Sequence, residues 1–435
     1  MDSSEIIHTQ ATIIGSGLTG MAAALFGAES SIQTAVVGST GASELSSGLV
    51  DLFGVLPGDE PLICHQPWDA IASLPERLPR HPYTRLSRQE IEKALNLFLS
   101  VLQDQGLAYV GANARNTMAV GPLGTLKPTY RLPATMMAGI RERTRGSPGL
   151  IVDFHGLKDF SARLVASNLE PAWPGLRTAR LTFPGTESRA EVFTALLAHS
   201  LEAPRVREQM AQSLSPLVRD ARALGIPAIL GMSSVQDIHR ELEDRLQVSI
   251  FEIPTLPASV PGLRMMEAMK RAADASPLIQ TFNQSRVTEI HQDSQGWFLA
   301  TVQGPMGQRV IRSRAVILAT GRFLGQGLTA DRSGVRESLL DLPVCQPASR
   351  TEWHRDDFFD PRGHQLNLAG IEVDDCFQPL GSNSKPVYAN LYAAGSILAH
   401  QDWVRMKCGA GLAIASAFQA VQCCRTQLAK EHLKR

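Results

Sequence analysis

Three glycines spaced Gly15-x-Gly17-x-x-Gly20 lie between an apolar run over 6–14 and an alanine-rich stretch over 21–28. In a strand–turn–helix context each glycine has a separate task. The first permits the tight turn and the second lets backbone approach a phosphate. The third lets the helix pack on the strand, so that its N-terminal amides face the anion. With a further strand expected over 33–37, the segment has the scale of one mononucleotide-binding unit. The spacing therefore points to a phosphate-bearing cofactor.

Two later strands also stop on glycine. The run 314–321 ends Ala-Thr-Gly321, and 390–395 reads Asn-Leu-Tyr-Ala-Ala-Gly395, followed by a loop and a long helix expected over 411–428. Three such ends suit a flavin, whose phosphate, ribityl chain and ring all need backbone close by. The second strand narrows the choice of flavin. A dinucleotide site usually ends it with an acid for the adenosine ribose. Here Thr34-Ala-Val-Val-Gly38 puts glycine at that place, and the next acid is Glu44. The phosphate half of the site is intact while the adenosine half is poorly specified. FMN fits this pattern, and FAD is the second choice.

Other chemistries lack their residues. There is no Gly-x-x-x-x-Gly-Lys-Ser/Thr loop and no Gly-x-Ser-x-Gly elbow. Gly325-x-Gly327-x-x-Ala330 imitates a second dinucleotide motif, but Arg322-Phe-Leu324 separates it from the strand ending at Gly321, and it reads as a plain loop. The cysteines at 64, 345, 376, 408, 423 and 424 form no C-x-x-C pair, so neither a zinc site nor an iron–sulfur cluster is expected.

The 435 residues carry 42 Lys+Arg and 42 Asp+Glu, a formal charge of zero, with 44% hydrophobic residues. That balance removes the electrostatic case for a nucleic-acid partner. The uncharged stretch 9–28 is long enough to span a bilayer, but its four glycines and three threonines make it too polar to insert. The first five residues lack a basic leader segment, so a cytoplasmic location without direct membrane insertion is expected.

Helical periodicity marks 87–105, 188–202 and 234–247. Residues 254–261 hold three prolines and read as loop before a helix over 262–275, and strands are expected over 282–287 and 297–302. The simplest architecture is α/β. Residues 1–56 and 276–435 would form a Rossmann-like, glutathione-reductase-type flavin domain from both termini, with 57–275 as an inserted α+β domain.

Along nearly its whole length the sequence resembles the flavin-binding B-subunit of anaerobic glycerol-3-phosphate dehydrogenase. The resemblance is carried by the glycine motif, Leu45-Ser-Ser-Gly-Leu-Val-Asp-Leu52, His81-Pro-Tyr83 and Gly121-Pro-Leu-Gly-Thr-Leu126. It continues through Leu256-Pro-Ala-Ser-Val260 with Gly262-Leu-Arg264, and Gly327-Leu-Thr-Ala-Asp-Arg332 with Gly334-Val-Arg-Glu337. Glu352-Trp353, Asp357-Phe-Phe359, Gly395-Ser-Ile-Leu398, Asp402 and Cys408-Gly-Ala-Gly411 complete it. The resemblance implies an FMN-binding subunit partnered by an FAD-bearing catalytic subunit and an iron–sulfur membrane anchor. That complex oxidises sn-glycerol 3-phosphate to dihydroxyacetone phosphate and sends electrons toward quinone in anaerobic respiration. It also implies a contact set of Gly15, Gly17, Gly20, Ser46, Ser47, Gly48, Gly321, Gly395, Asp402, Gly409 and Gly411.

Two departures fall in the cofactor-approaching loop. Ala399-His400 stands where the family has Gly-Gly, and Lys407 replaces a glycine before Cys408. His400 and Lys407 could stabilise a reduced flavin or its phosphate, or mark altered or lost binding. His81, His354 and His400 are base candidates by type, and Arg264, Arg322 and Arg336 could meet a substrate phosphate. An autonomous flavin dehydrogenase or reductase and a cofactor-poor bracing subunit are the competing functions.

Overall fold

The computed structural model describes residues 6–39 and 45–433; the first five residues and Glu44 lie outside them. By Cα proximity the chain falls into two units, Met1–Ala42, Val55–Phe98 and Met269–Arg435 in one, Ser43–Gly54 and Leu99–Ala268 in the other. This division differs from the boundaries expected near 56 and 276. Residues 55–98 cluster with the first unit, and the short segment 43–54 clusters with the second.

In the first unit, β1 (Ile6–Ile14) leads through the glycine turn into α1 (Leu18–Glu29) and then β2 (Thr34–Gly38). Later come β3 (Ile279–Asn283), β4 (Arg286–Gln292), β5 (Phe298–Gly304) and β6 (Gly307–Leu318). A two-residue ribbon, β7 (Val344–Cys345) with β8 (Gly370–Ile371), precedes β9 (Leu391–Ala393) and the final α2 (Gly409–Leu433).

The sheet runs β3-β2-β1-β6-β5-β4, with β9 also on β6. β1 pairs in parallel with both β2 and β6, and β9 pairs in parallel with the end of β6, from Val316↔Leu391 to Leu318↔Ala393. The three glycine-ended strands β1, β6 and β9 are thus parallel neighbours, and their C-terminal ends share one edge. Ligands of open α/β sheets bind at that edge.

α1 is apolar around its circumference, with Thr19 to Gly27 buried. A helix that is hydrophobic all round must be covered on every side. α2 supplies one cover, with Phe26 meeting Phe418 edge-on at 5.4 Å. Each such buried ring stabilises by about 1.5–3 kcal/mol.

The structure corrects several expected elements. The strand expected over 282–287 is two, broken by Gln284 at φ +51°, with β3 parallel to β2 and β4 antiparallel to β5. The helix expected over 188–202 shrinks to Thr194–Ser200, because Val192 is drawn into a bridge and its N–H donates to Gly156 O at 3.0 Å. The loop expected through 261 ends earlier. Helix Val260–Asp274 takes Pro261 into its first turn, where no N–H is needed.

The second unit holds a four-stranded, all-parallel sheet in the order Arg177–Leu181, Gly149–Phe154, Ala223–Pro227, Ser249–Ile253. All six residues of Gly149–Phe154 are buried, as a strand covered on both faces requires. Phe251 stacks on Trp173 at 5.7 Å; Gly139 and Gly225 make room for its ring, since a Cβ on either would come within 2.6 Å of it.

Candidate flavin site

The three strand ends meet at the first turn of α1. Gly15 adopts φ +115° and donates its N–H to Val37 O at 2.7 Å. A Cβ there would lie 2.2 Å from Ala319 O, because the turns after β1 and β6 cross backbone to backbone. A Cβ on Gly20 would sit 1.7 Å from Gly15 O. Gly395, at φ +78°, comes so close to α1 that a Cβ would lie 2.1 Å from Thr19 Oγ1, and its N–H donates to Ser416 Oγ of α2 at 2.9 Å. A Cβ on Gly321, at φ +69°, would make an ordinary contact with Ser396 Oγ at 3.5 Å. The structure therefore brings Gly15, Gly20, Gly321 and Gly395 together.

α1 starts at Gly17 with extended backbone, no side-chain cap and no acid in its first turn. Its leading amides are left to an anion, and the helix dipole adds roughly half a positive charge there. Residues 15–18 are half-exposed between a buried strand and a buried helix. Thr320 Oγ1, beside Gly321, is buried with no hydrogen-bond partner. An uncapped helix start, a cradle in which Gly15, Gly20 and Gly395 leave no room for a Cβ, and an orphaned hydroxyl fit a phosphate-bearing flavin.

The ribose end is different. A Cβ on Gly38 would lie 2.3 Å from Ser16 Oγ and 2.5 Å from Ser16 N. Ser16 fills the space at the end of β2 that an acidic side chain would occupy. The loop read from sequence as an imitation motif has a structural task here. Cβ atoms on Gly325 and Gly327 would lie 2.1 Å from Thr320 O and 2.2 Å from Gly321 O, so this loop folds onto the end of β6. Arg322-Phe-Leu324 argued against it in sequence, and only the fold shows the return.

Gly409 opens α2 and Gly411 lies in its first turn. Asp402 caps the short helix Trp403–Met406 by accepting from Arg405 N at 3.2 Å, and also accepts from Asn367 Nδ2 at 3.0 Å and Arg405 Nη1 at 3.3 Å. Its carboxylate thus orders the loop before α2. Ser46, Ser47 and Gly48 belong to the second unit, where Gly48, at φ +71°, lies against Pro261 and its carbonyl accepts from Tyr109 Oη at 2.8 Å.

His400 and Lys407 both adopt left-handed backbone, φ +62° and φ +50°. The imidazole of His400 is held 2.6 Å from Glu372 Oε1, a partner 28 residues away in the chain. Burial pushes its pKa down, against the pull of Glu372.

The arginines weighed for a substrate phosphate are engaged elsewhere. Arg264 is bidentate to Glu252, and Arg336 pairs with Asp331 at 2.7 Å. Arg322 donates to four main-chain carbonyls, Ser396 at 2.7 Å, Gln401 at 2.8 Å, Leu398 at 3.1 Å, and Asn367. Burial lowers its pKa to about 10, with Asp402 opposing. Arg322 thereby pins the loops 365–368 and 396–401 around the end of β6. Arg322→Met removes every one of these donors, while Gln401 Nε2 still serves Ser396 O and Leu398 O. The expected loss is about 2–4 kcal/mol, read as a lowered urea midpoint. An unchanged midpoint would contradict this role.

Of the base candidates, His81 is fully buried and stacked on Tyr83, with burial lowering its pKa to about 3. His354 is exposed beside His364. Trp353 is buried, whereas Phe358 and Phe359 are exposed.

A parallel sheet whose glycine ends converge on an uncapped helix defines a flavin-binding oxidoreductase, and residues 11–412 match the family described as "FAD binding domain". The chain belongs to the B-subunit family of anaerobic glycerol-3-phosphate dehydrogenase. It is 32% identical over 432 residues to a Halobacterium salinarum protein named as the probable B-subunit of that dehydrogenase, covering 95% of this chain and 97% of that one. A Vibrio vulnificus protein named as the same B-subunit is 29% identical, covering 96% of each chain. Among solved structures, 3-ketosteroid delta1-dehydrogenase from Sterolibacterium denitrificans aligns over 98% of this chain and 100% of its own, at 12% identity and TM-score 0.46. No helix among the described residues is long and apolar enough to cross a membrane.

Proposed function

We propose that this chain is the FMN-bearing electron-relay subunit of a glycerol-3-phosphate dehydrogenase complex. In that complex sn-glycerol 3-phosphate becomes dihydroxyacetone phosphate, giving up two electrons and two protons that pass toward quinone. The substrate is oxidised on an FAD-bearing catalytic subunit, and an iron–sulfur subunit ties the assembly to the membrane. Membrane association of this chain is then indirect, from the cytoplasmic side.

The observation that carries the choice of FMN is the approach of Ser16 to Gly38, which leaves no acid and no room for one at the end of β2. The bound isoalloxazine would supply the redox chemistry, accepting and releasing electrons. The chain's own residues bind and orient. The amides of the Gly15–Gly20 turn hold the phosphate, helped by the α1 dipole. Gly321 and Gly395 admit the cofactor next to backbone, and Gly409 and Gly411 present the amides that begin α2. Asp402 acts one step back, by holding the loop that carries them. A relay subunit needs no site for a substrate phosphate, which agrees with the engagement of Arg264, Arg322 and Arg336 within the protein.

The test is to purify the chain, record its visible spectrum and identify the heat-released flavin by chromatography. The expected result is a yellow protein releasing FMN, reduced by glycerol 3-phosphate only when its partner subunit is added. Release of FAD overturns the mononucleotide assignment. A colourless protein that cannot be reconstituted overturns the relay reading in favour of a bracing subunit.

A further inference from the structure

Cys345, Glu372 and His400 are far apart in sequence and adjacent in space. β7 pairs antiparallel with β8, placing Cys345 across from Gly370, and Glu372 follows β8 directly. The loop after Gly395 then lies on this ribbon. Ala399 N donates to Ile371 O at 3.0 Å and His400 N to Leu368 O at 2.8 Å. Glycine at 370 is what allows this approach, since a Cβ there would sit 2.4 Å from Ile397 O and 2.6 Å from Ala399 N. The left-handed turn at His400, φ +62°, carries its imidazole Nε2 to 2.6 Å from Glu372 Oε1. Cys345 Sγ, a carboxylate oxygen of Glu372 and a ring nitrogen of His400 all lie within 4.8 Å of one another, and all three residues are half-buried.

We propose that Cys345, Glu372 and His400 form a binding site for a divalent transition-metal ion of the zinc class, with water in the fourth position. Thiolate, imidazole and carboxylate are the donors such an ion selects, and three protein ligands plus solvent complete a tetrahedron. With bonds of about 2.0–2.3 Å, neighbouring ligand atoms on that tetrahedron stand roughly 3.3–3.8 Å apart. The three ligand atoms, within 4.8 Å of one another, must draw together by roughly an ångström to reach this.

Arg80 is the apparent obstacle, because its guanidinium contacts the same carboxylate. Its Nε and Nη2 both address Oε1, as does His400, and among the described residues no hydrogen bond or ion pair reaches Oε2. Oε2 is therefore the oxygen available to a metal, with Arg80 as the outer hydrogen-bond donor that ligating carboxylates ordinarily have. Thiolate, carboxylate and guanidinium sum to one negative charge, and a divalent ion leaves one positive. On binding, the Cys345 thiol gives its proton to solvent. His400 binds through the Nε2 lone pair with its proton on Nδ1. No electrons move. The ion would clamp the loop 395–408 to the β7–β8 ribbon, independently of which flavin the chain carries.

The experiment strips the full chain with EDTA and titrates it with Zn2+ against a chromophoric chelator. A parallel titration with Co2+ follows the near-ultraviolet thiolate-to-cobalt band. The expected result is one equivalent of either ion, the band present, and a rise in Tm with Zn2+. Cys345→Ser abolishes the band and weakens Zn2+ at least tenfold, and Cys376→Ser changes neither. His400→Gly relieves the left-handed backbone and keeps the thiol, so it serves where Cys345→Ser fails to fold; it too weakens Zn2+ at least tenfold. A band that survives Cys345→Ser, or no stoichiometric binding by the folded wild type, overturns the site and leaves an ion pair beside a thiol.

Discussion

Gly20→Ala is expected to lower stability by about 3 kcal/mol, the upper end of the range for overpacking, and to reduce bound flavin to under a tenth of wild type. The added methyl would lie 1.7 Å from Gly15 O. That atom is main chain, and Gly15 is itself fixed by Ala319 O on one side and Val37 O on the other. No rotamer change can absorb the clash, so α1 must lift from β1. Its N-terminal amides then leave the position where they would meet a phosphate. Gly146→Ala is the control, at φ +67° with nothing within 4 Å of the added carbon. It should cost about 1 kcal/mol from backbone strain alone and leave flavin content unchanged. Flavin per chain and the urea midpoint measure both effects. Wild-type values for Gly20→Ala would refute the claim that this crossing builds the site.

The second large effect lies in the other unit. Glu252 and Arg264 are both almost completely buried and joined at 2.7 and 2.8 Å, and Arg264 Nε also donates to Gly231 O at 2.8 Å. Glu252 additionally accepts from Thr135 Oγ1 and Leu230 N. Arg264→Met strands a carboxylate without its cation and should cost about 3–5 kcal/mol. The double variant Glu252→Leu with Arg264→Met should recover much of that loss, because no buried charge is then left alone.

The pair also sets a pH dependence. Burial pushes the Glu252 carboxyl up, but the charge and hydrogen bonds of Arg264 outweigh it, and the net pKa lies below the ordinary 4.5. A carboxyl depressed in the folded state stabilises fully above its unfolded pKa, and that contribution fades as pH falls below about 4.5 toward the folded value. The urea midpoint of wild type should therefore drop between pH 6 and pH 3 more steeply than that of the double variant. Equal slopes would remove Glu252 as the source.

Much of the geometry of the candidate site was legible because glycine is informative wherever backbone crosses backbone. Gly15, Gly20 and Gly395 each make a contact that excludes a side chain, and Gly321 takes the left-handed backbone that favours glycine. Such needs are local and show as residue type at fixed spacing. The parallel strands over 6–14 and 314–321 were legible for the same reason, as short apolar runs ending in a turn. The helix expected over 188–202 failed because periodicity does not reveal that Val192 has a bridging partner at Leu157. The strand expected over 282–287 failed because a reversal at Gln284, φ +51°, has no glycine to announce it. Gly325 and Gly327 were dismissed on the bulky residues before them, although they close the loop onto the end of β6.

By itself the sequence determined the glycine turn, the missing acid at Gly38, the charge balance and the resemblance to a glycerol-3-phosphate dehydrogenase subunit. These are properties of residue type and order, and folding does not alter them. The tertiary structure alone decided that Ser16 lies against Gly38 at the end of β2 and that Arg322 is spent on four carbonyls. It also gathered Cys345, Glu372 and His400 around one point. Each of these depends on loops returning from distant parts of the chain to one strand edge. Such returns are set by packing that no local pattern encodes.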